Sequence, residues 1–326
     1  MGLLKKVNSK LMKNVTKALS FKKFGKLPLW ERLFYISLGT LLFVVLLNNA
    51  RNSLGVKEGF EQTGEFVVKK SAVEIYDEFY VSVYDDLVYN SGKNNCEMKI
   101  IKDMTTFNDK SRVLDIGSGT GHHVSLLSKT TKTVEGIDIS PAMVSKAQTN
   151  YPKCNYREED ATNTMAVQQQ SITHITCLYF TIYYIENKRA LLKNCYDWLM
   201  PGGYFIVHLV DRDNFDPILP AGDPFTMVSA QKYAKERITS TVVKFDDYDY
   251  KSNFDMVPNE SIAVMNEEFK NRKNGGVRKN EHTIHIPLQK DILSMAKDVG
   301  LVLLDYDELF DCGYRDQYIY VLQKPQ

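Results

Sequence analysis

Val113-Leu114-Asp115-Ile116-Gly117-Ser118-Gly119-Thr120-Gly121 is the stretch on which the fold turns. An apolar run carrying one acid ends in alternating glycines, and His122-His123-Val124-Ser125-Leu126-Leu127 continues as a helix. The order reads as buried strand, tight turn and helix start. Glycines let the backbone turn sharply and approach a ligand closely, and the helix start offers unpaired N–H groups. A dinucleotide fingerprint, G-x-G-x-x-G, requires its third glycine at position 122, where His122 stands; Gly121 comes one residue early. Asp115, two residues before the first glycine, would repel a pyrophosphate and suits a cationic amino-acid group.

Working outward, strands are expected at 133–138, 155–157, 172–178 and 204–209. Helices are expected at 121–129, 141–149 and 187–199, the last stopped by Pro201-Gly202-Gly203. Strands alternating with helices imply a parallel sheet covered on both faces. Asp138 ends the second strand, about where an acid hydrogen-bonds ribose hydroxyls. Asp160, just past the third strand, is placed to meet an adenine edge. Residues 211–287 break the pattern: strands at 241–246, 261–269 and 281–286 predict an inserted antiparallel sheet, after which a helix at 288–299 and strands at 301–309 and 317–322 close the chain. Ahead of the glycine loop, Val73, Tyr76, Phe79, Tyr80 and Val83 recur at helical spacing, predicting one helix over 72–89 that lies on the domain.

Five successive stretches, VLDIGSGTGHHV, GIDISPAMVSKAQ, REEDAT, SITHITCLYFTIYYIEN and WLMPGGYFIV, resemble in order and placement the class I S-adenosylmethionine-dependent methyltransferases, in their small-molecule group. The resemblance covers residues 71–326. It implies an α/β, Rossmann-like, seven-stranded and mostly parallel sheet with helices on both faces, whose last strand, 317–322, runs antiparallel. It implies S-adenosylmethionine as cofactor, with Asp115, Gly117, Ser118, Gly119 and Gly121 at its methionine end. Asp138 would hold the ribose, with Ile139 and Met143 beside it. Asp160 and Ala161 would meet adenine, and Leu178 or Tyr179 would close the pocket. The nucleic-acid amino-methylating branch carries [DN]-P-P-[YF] after the fourth strand; here Leu178-Tyr179-Phe180-Thr181 stands there, and the folded part has no long basic stripe, so nucleic acid is not the expected partner.

A base is needed only where the methyl acceptor must lose a proton. The candidates are Tyr183, Tyr184, His208 and Asp211, together with His282 and His285 if the insert covers the site. Tyr183 and Tyr184 read equally as an aromatic wall, and His208, between Val207 and Leu209, as a hydrogen-bonded core histidine. His282 and His285 fall on opposite faces of one strand, so at most one points at a pocket. Tyr76, Tyr80 and Tyr84 could border the cofactor, although a packed helix needs such residues anyway. The expected acceptor is a small or lipid-like molecule; the competing reading is a non-catalytic, cofactor-binding assembly factor.

With 44% hydrophobic and 25% charged residues over 326 positions, the chain can bury a full core and is not a disordered protein. Its net charge is only +1, yet Lys5, Lys6, Lys10, Lys13, Lys17, Lys22, Lys23 and Lys26 precede the first acid, Glu31. Residues 1–32 therefore read as a basic amphipathic tail suited to anionic lipid. Residues 33–47, LFYISLGTLLFVVLL, read as a transmembrane anchor of a single-pass membrane protein, with a buried core helix as the alternative. Charge bias puts the tail on the cytoplasmic or matrix side and the domain across the membrane; the mitochondrial inner membrane is one option among organelles left open. Residues 48–70 read as a linker. Cys96, Cys154, Cys177, Cys195 and Cys312 are widely spaced, form no C-x-x-C pair and read as ordinary thiols, with no metal site expected.

Overall fold

The computed structural model describes residues 28–30, 32, 36–37, 40, 66–217 and 237–326. The tail and the anchor lie almost entirely outside the described residues, as does most of the linker. Among the described residues no helix is long and apolar enough to cross a membrane. The fold is that of the unit Lys57–Gln326.

The linker's last residues form strand β1 (Phe66–Lys69), followed by α1 (Ala72–Ile75), α2 (Glu78–Val88) and α3 (Ser91–Met104). The expected single helix over 72–89 is thus broken at Tyr76-Asp77. The reason is local competition for backbone groups. The Ile75 carbonyl accepts from Arg278 Nη2 at 2.8 Å instead of continuing the helix, and Asp77 caps α2 through Tyr80 N–H at 3.1 Å.

Then come β2 (Arg112–Ile116), α4 (His122–Leu127), β3 (Thr133–Asp138), α5 (Pro141–Asn150), β4 (Asn155–Glu158), β5 (Ile172–Cys177), α6 (Thr181–Tyr184), α7 (Lys188–Trp198) and β6 (Leu199–Val210). The insert supplies β7 (Ser240–Lys244), β8 (Tyr248–Met256), β9 (Ile262–Asn271) and β10 (Val277–His285), and α8 (Gln289–Asp298), β11 (Val302–Glu308) and β12 (Gln317–Gln323) end the chain. The main sheet has seven strands in the order β11-β12-β6-β5-β2-β3-β4. β3, β2, β5 and β6 pair parallel, while β12 runs antiparallel to both β6 and β11, as expected of the last strand. Val113, Leu114, Asp115 and Ile116 are all buried, because helices cover both faces of this sheet and no alternation is required.

The insert's strands form a second sheet, ordered β1-β10-β9-β8-β7. Its β8 was not expected from the sequence, although Tyr248, Tyr250, Ser252 and Phe254 alternate inward along it with Asp249, Lys251 and Asn253 between them, the period of a half-buried strand. The leading helix packs here: Ile75, Phe79, Tyr80, Val83 and Leu87 form one cluster with Tyr248, Tyr250 and Phe269. Phe254, Ala263, Ile284 and Ile286 meanwhile join the core of the main sheet, so the insert is built into the domain.

The reading of every cysteine as a free thiol is corrected. Cys96 on α3 and Cys312, in the 3-10 turn Leu309–Cys312, form a disulfide with Cα atoms 5.9 Å apart. Their separation of 216 residues carries no local signature, and pairing cannot be deduced from spacing alone.

Candidate active site

The ends of β2, β3 and β5 frame a cavity of about 240 Å³, several times the roughly 30 Å³ share of one water, and so a ligand site, not a packing defect. Its floor is carved from backbone. Gly117 and Gly119, which line it, have φ of +67° and +53°, and Gly121, which starts the following helix, has +91°. A Cβ on Gly117 would stand 2.4 Å from the Thr181 side chain, and one on Gly121 2.5 Å from the Tyr156 hydroxyl. The turn therefore admits glycine on both conformational and steric grounds.

Asp138, at the end of β3, accepts from Gly119 N–H and Ser140 N–H, each at 2.9 Å. Burial raises its pKa despite these bonds. The Ile139 N–H adds to them, and Asp138 lines the cavity. Ile139, Met143, Asp160 and Ala161 continue this wall. Asp160 is exposed at the rim, with Oδ1 accepting from the Thr162 N–H and hydroxyl at 2.8 Å.

The opposite wall is side chain. Tyr76, Tyr80, Tyr84 and Tyr184 line it, with ring centroids 5.2 Å apart for Tyr76–Tyr80 and 6.0 Å for Tyr76–Tyr184. The leading helices are clamped over the glycine loop by the Thr120 hydroxyl donating to Asp85 at 2.7 Å and the Ser140 hydroxyl donating to the Tyr76 carbonyl at 2.6 Å. Behind the tyrosines, Glu267 on β9 is fully enclosed. It accepts from the Tyr80 hydroxyl at 2.9 Å, the Tyr250 hydroxyl at 2.7 Å, Asn280 Nδ2 at 3.0 Å and His282 Nε2 at 2.7 Å. The other ring nitrogen of His282, Nδ1, lies 2.9 Å from the Tyr184 hydroxyl.

The structure therefore brings Gly117, Gly119, Asp138, Ile139, Met143, Asp160, Ala161, Tyr179 and Tyr184 around one cavity. Asp115, Ser118, Gly121 and Leu178 do not line it. Asp115 is buried, accepts from the Thr176 hydroxyl at 2.6 Å, and is pushed up to about pKa 6 by that burial. Tyr183 is also off the cavity; its hydroxyl accepts from Val210 N–H at 2.8 Å. His208 lies inside the sheet, where burial pushes it down to about pKa 4, and its Nδ1–H donates to the Tyr179 carbonyl at 2.6 Å. Its role follows from Tyr179, whose φ of +53° is rare for a bulky residue: His208 pins that turn. Asp211 and His285 are half-buried and do not line the cavity.

Below Tyr179, Lys93 is buried with its ammonium over the rings of Tyr179 and Tyr314, and it pairs with Glu97, which also binds His123 at 2.8 Å. Burial opposes the charge on Glu97, but Lys93 and His123 outweigh it and hold the carboxyl well below the usual carboxylate range. Sequence reasoning missed this support, and it missed Glu267. An acid among the inward-facing Ala263 and Phe269 of one strand was the available signal, but only the strand register puts it beside His282.

Residues 113–203 match the family model described as "Methyltransferase domain". The chain carries a class I S-adenosylmethionine-dependent methyltransferase domain. A phosphoethanolamine N-methyltransferase of Plasmodium falciparum (isolate 3D7) is 24% identical over 212 residues, 58% of this chain and 76% of that one. A ubiquinone biosynthesis O-methyltransferase of Xanthomonas campestris pv. campestris (strain B100) is 25% identical over 129 residues, 38% of this chain and about half of that one, 51%. The sugar N-methyltransferase KedS8 from Streptoalloteichus sp. shares the fold with a TM-score of 0.55 at 17% identity, covering 78% of this chain and 95% of that one.

The methyltransferase site fits its cofactor. Asp138 offers two oxygens to a pair of ribose hydroxyls, the positive-φ glycines leave room for a close backbone approach, and Ile139, Met143 and Ala161 offer an apolar wall to a base. S-adenosylmethionine, when bound, supplies a methyl group on a sulfonium that departs as a neutral thioether. The protein's own task is then to orient an acceptor and exclude water.

Proposed function

We propose that the enzyme methylates a small amine held against the tyrosine wall. The observation that carries this reading is the character of the cavity, lined by Tyr76, Tyr80, Tyr84 and Tyr184 together with Asp138, Glu159, Asp160 and Asp216. Aromatic faces attract ammonium groups by about 0.5–2 kcal/mol each, most strongly when desolvated, and carboxylates add to that field. The phosphoethanolamine and sugar N-methyltransferases among the similar proteins support an amine acceptor, while the ubiquinone biosynthesis enzyme keeps a hydroxyl acceptor as the competitor.

The test is methyl transfer from radiolabelled S-adenosylmethionine by the full chain in lipid nanodiscs, offered ethanolamine, phosphoethanolamine, glucosamine and catechol. Transfer to the amines over catechol supports the reading. Transfer to catechol alone overturns it, and cofactor binding without transfer to anything moves the non-catalytic assembly factor to first place.

We also propose that residues 33–47 anchor the domain and that the basic tail binds anionic lipid, with the domain on the side opposite the tail. The positive charge of the tail supports that orientation, and so does the Cys96–Cys312 disulfide, since disulfides persist in oxidising compartments. Protease protection in sealed membrane vesicles tests it: an accessible domain beside an equally accessible tail would sink the spanning topology.

A further inference from the structure

Glu267, His282 and Tyr184 form a chain of short contacts that joins the insert to the cavity. Burying a carboxylate is costly, and Glu267 is buried deep beneath the tyrosines with four donors around it. Burial raises the pKa of its carboxyl, but His282, Asn280 and Tyr250 more than offset this and hold it below the ordinary value. As an acceptor-only carboxylate it fixes the histidine tautomer: His282 Nε2 must carry the proton donated to Glu267. When Nε2 carries the only ring proton, Nδ1 holds a lone pair, and the Tyr184 hydroxyl, 2.9 Å away, is placed to donate to it. Tyr184 itself lines the cavity, and its side chain also hydrogen-bonds that of Tyr76. Burial pushes the Tyr184 phenol up, so it rests protonated and acts as a conduit, not as a standing phenolate.

We propose that Tyr184, His282 and Glu267 are a proton relay that deprotonates an ammonium acceptor, Tyr184 as the catalytic residue and His282 with Glu267 as positioning residues acting through it. The proposal rests on the amine reading above for its substrate class, but not for its geometry. An ammonium is attracted to the tyrosine wall yet has no lone pair with which to attack. Its N–H proton passes to the Tyr184 oxygen as the phenolic proton passes to His282 Nδ1, leaving a neutral amine and an imidazolium paired with Glu267. The amine nitrogen then forms its bond to the methyl carbon, the sulfur–methyl bond breaks with its electron pair left on sulfur, and the imidazolium later returns its proton to solvent through Tyr184. Because His282 and Glu267 belong to β10 and β9 while Tyr184 belongs to α6, the relay is complete only with the insert docked.

The groups facing His282 are Glu267 from β9, Tyr184 from α6, Tyr76 from the end of α1 and Tyr80 from α2. The test has a readout that needs no acceptor: nitrogen NMR of the histidine-labelled full chain at pH 7.5 with S-adenosylhomocysteine. The expected result is a neutral His282 protonated on Nε2, with the Nδ1 resonance shifted in Tyr184→Phe. An Nδ1-protonated ring, or an imidazolium at rest, overturns the relay. In turnover with ethanolamine, Tyr184→Phe and His282→Gln should lower kcat by ~100-fold or more, a size ordinary for acid–base residues, with cofactor affinity unchanged within about threefold. The defect should narrow as pH rises and ethanolamine arrives already deprotonated; a defect of constant size would mark a purely structural role and overturn the proposal. Should no amine turn over while His282 shows the expected tautomer and Tyr184 coupling, the amine reading fails and the relay's role toward an ammonium fails with it, leaving only the hydrogen-bonded chain; a failed tautomer with amine turnover intact overturns the relay alone.

Discussion

The two walls of the cavity are built from different materials. The cofactor wall is made of backbone: glycines in the left-handed region, N–H groups aimed at Asp138, and one carboxylate at a strand end. The acceptor wall is made of side chains: tyrosines from the leading helices and a Glu–His pair from the insert. A backbone wall tolerates almost no added atom but is indifferent to most neighbouring side chains. A side-chain wall tolerates change in shape but depends on each buried polar group keeping its partner. The first arrangement suits a ligand that never varies, the second a ligand that differs among enzymes of one fold.

The sharpest way to break this contrast is to add one methyl group to the backbone wall. Gly117→Ala would force a side chain into φ +67° and place its Cβ 2.4 Å from Thr181. Left-handed strain of about 1–2 kcal/mol and overpacking of about 1–3 kcal/mol together predict a loss of cofactor affinity on the order of 100-fold or more. Calorimetric titration with S-adenosylhomocysteine measures it. Adding Thr181→Gly should recover only the overpacking part; full recovery would show that the left-handed turn carries none of the cost.

On the side-chain wall the counterpart is Arg278. It is almost wholly buried, donates to both carboxylate oxygens of Asp77 at 2.8 Å and to the Ile75 carbonyl, and so ties the insert to the leading helices. Arg278→Met should cost about 3 kcal/mol in denaturant unfolding, toward the low end for a broken buried pair because Asp77 is a third exposed. It should also raise amide exchange in β9 and β10 while leaving cofactor affinity near normal. Equal loss at both walls would erase the distinction between them.

The contrast also explains what the sequence disclosed. A backbone wall advertises itself locally: VLDIGSGTG and the acid ending β3 fall on the elements where they were expected, because each depends on residues adjacent in the chain, whereas Pro201-Gly202-Gly203, expected between helix and strand, lies within β6. The parallel sheet followed from the order of these elements, and its seven strands from the family resemblance. The acceptor wall depends on register across strands. Nothing near Glu267 in the chain names His282 as its neighbour, and nothing near Asp77 predicts that Arg278 will interrupt a helix 201 residues away. Cys96 and Cys312 were illegible for the same reason.

That disulfide gives the next smaller effect. It ties α3, which carries Lys93 and Glu97, to the turn just before Tyr314, and so braces the Tyr179–Tyr314 side of the cavity. Cys96→Ser should lower stability by about 2–4 kcal/mol, mainly through the freed unfolded chain. Reductant should lower the wild-type melting temperature to that of the variant and leave the variant unmoved. A wild-type protein indifferent to reductant would remove the bond from the argument, and with it the support it lends to an oxidising compartment.

Asp115 carries the smallest effect and the most direct test of whether the cofactor wall stores strain for function. Burial holds its folded-state pKa at about 6, above the roughly 3.9 of an unfolded chain. The folded protein therefore keeps a proton that the unfolded chain gives up, and this contribution to stability, complete below about pH 4, is lost as pH rises through about 6. The difference of about two pKa units corresponds to no more than ~3 kcal/mol. Asp115→Asn keeps the shape and the Thr176 contact but cannot ionise. It should flatten the pH dependence of unfolding between about pH 4 and 7 and stabilise the cofactor-free protein above it by about 1–3 kcal/mol, while weakening cofactor affinity where the wild-type carboxylate is charged. Unfolding curves at pH 5 and pH 8 decide the first part and calorimetric titration at pH 8 the second. A variant that gains stability and loses no affinity would mean that the acid ahead of the glycine loop serves the fold alone.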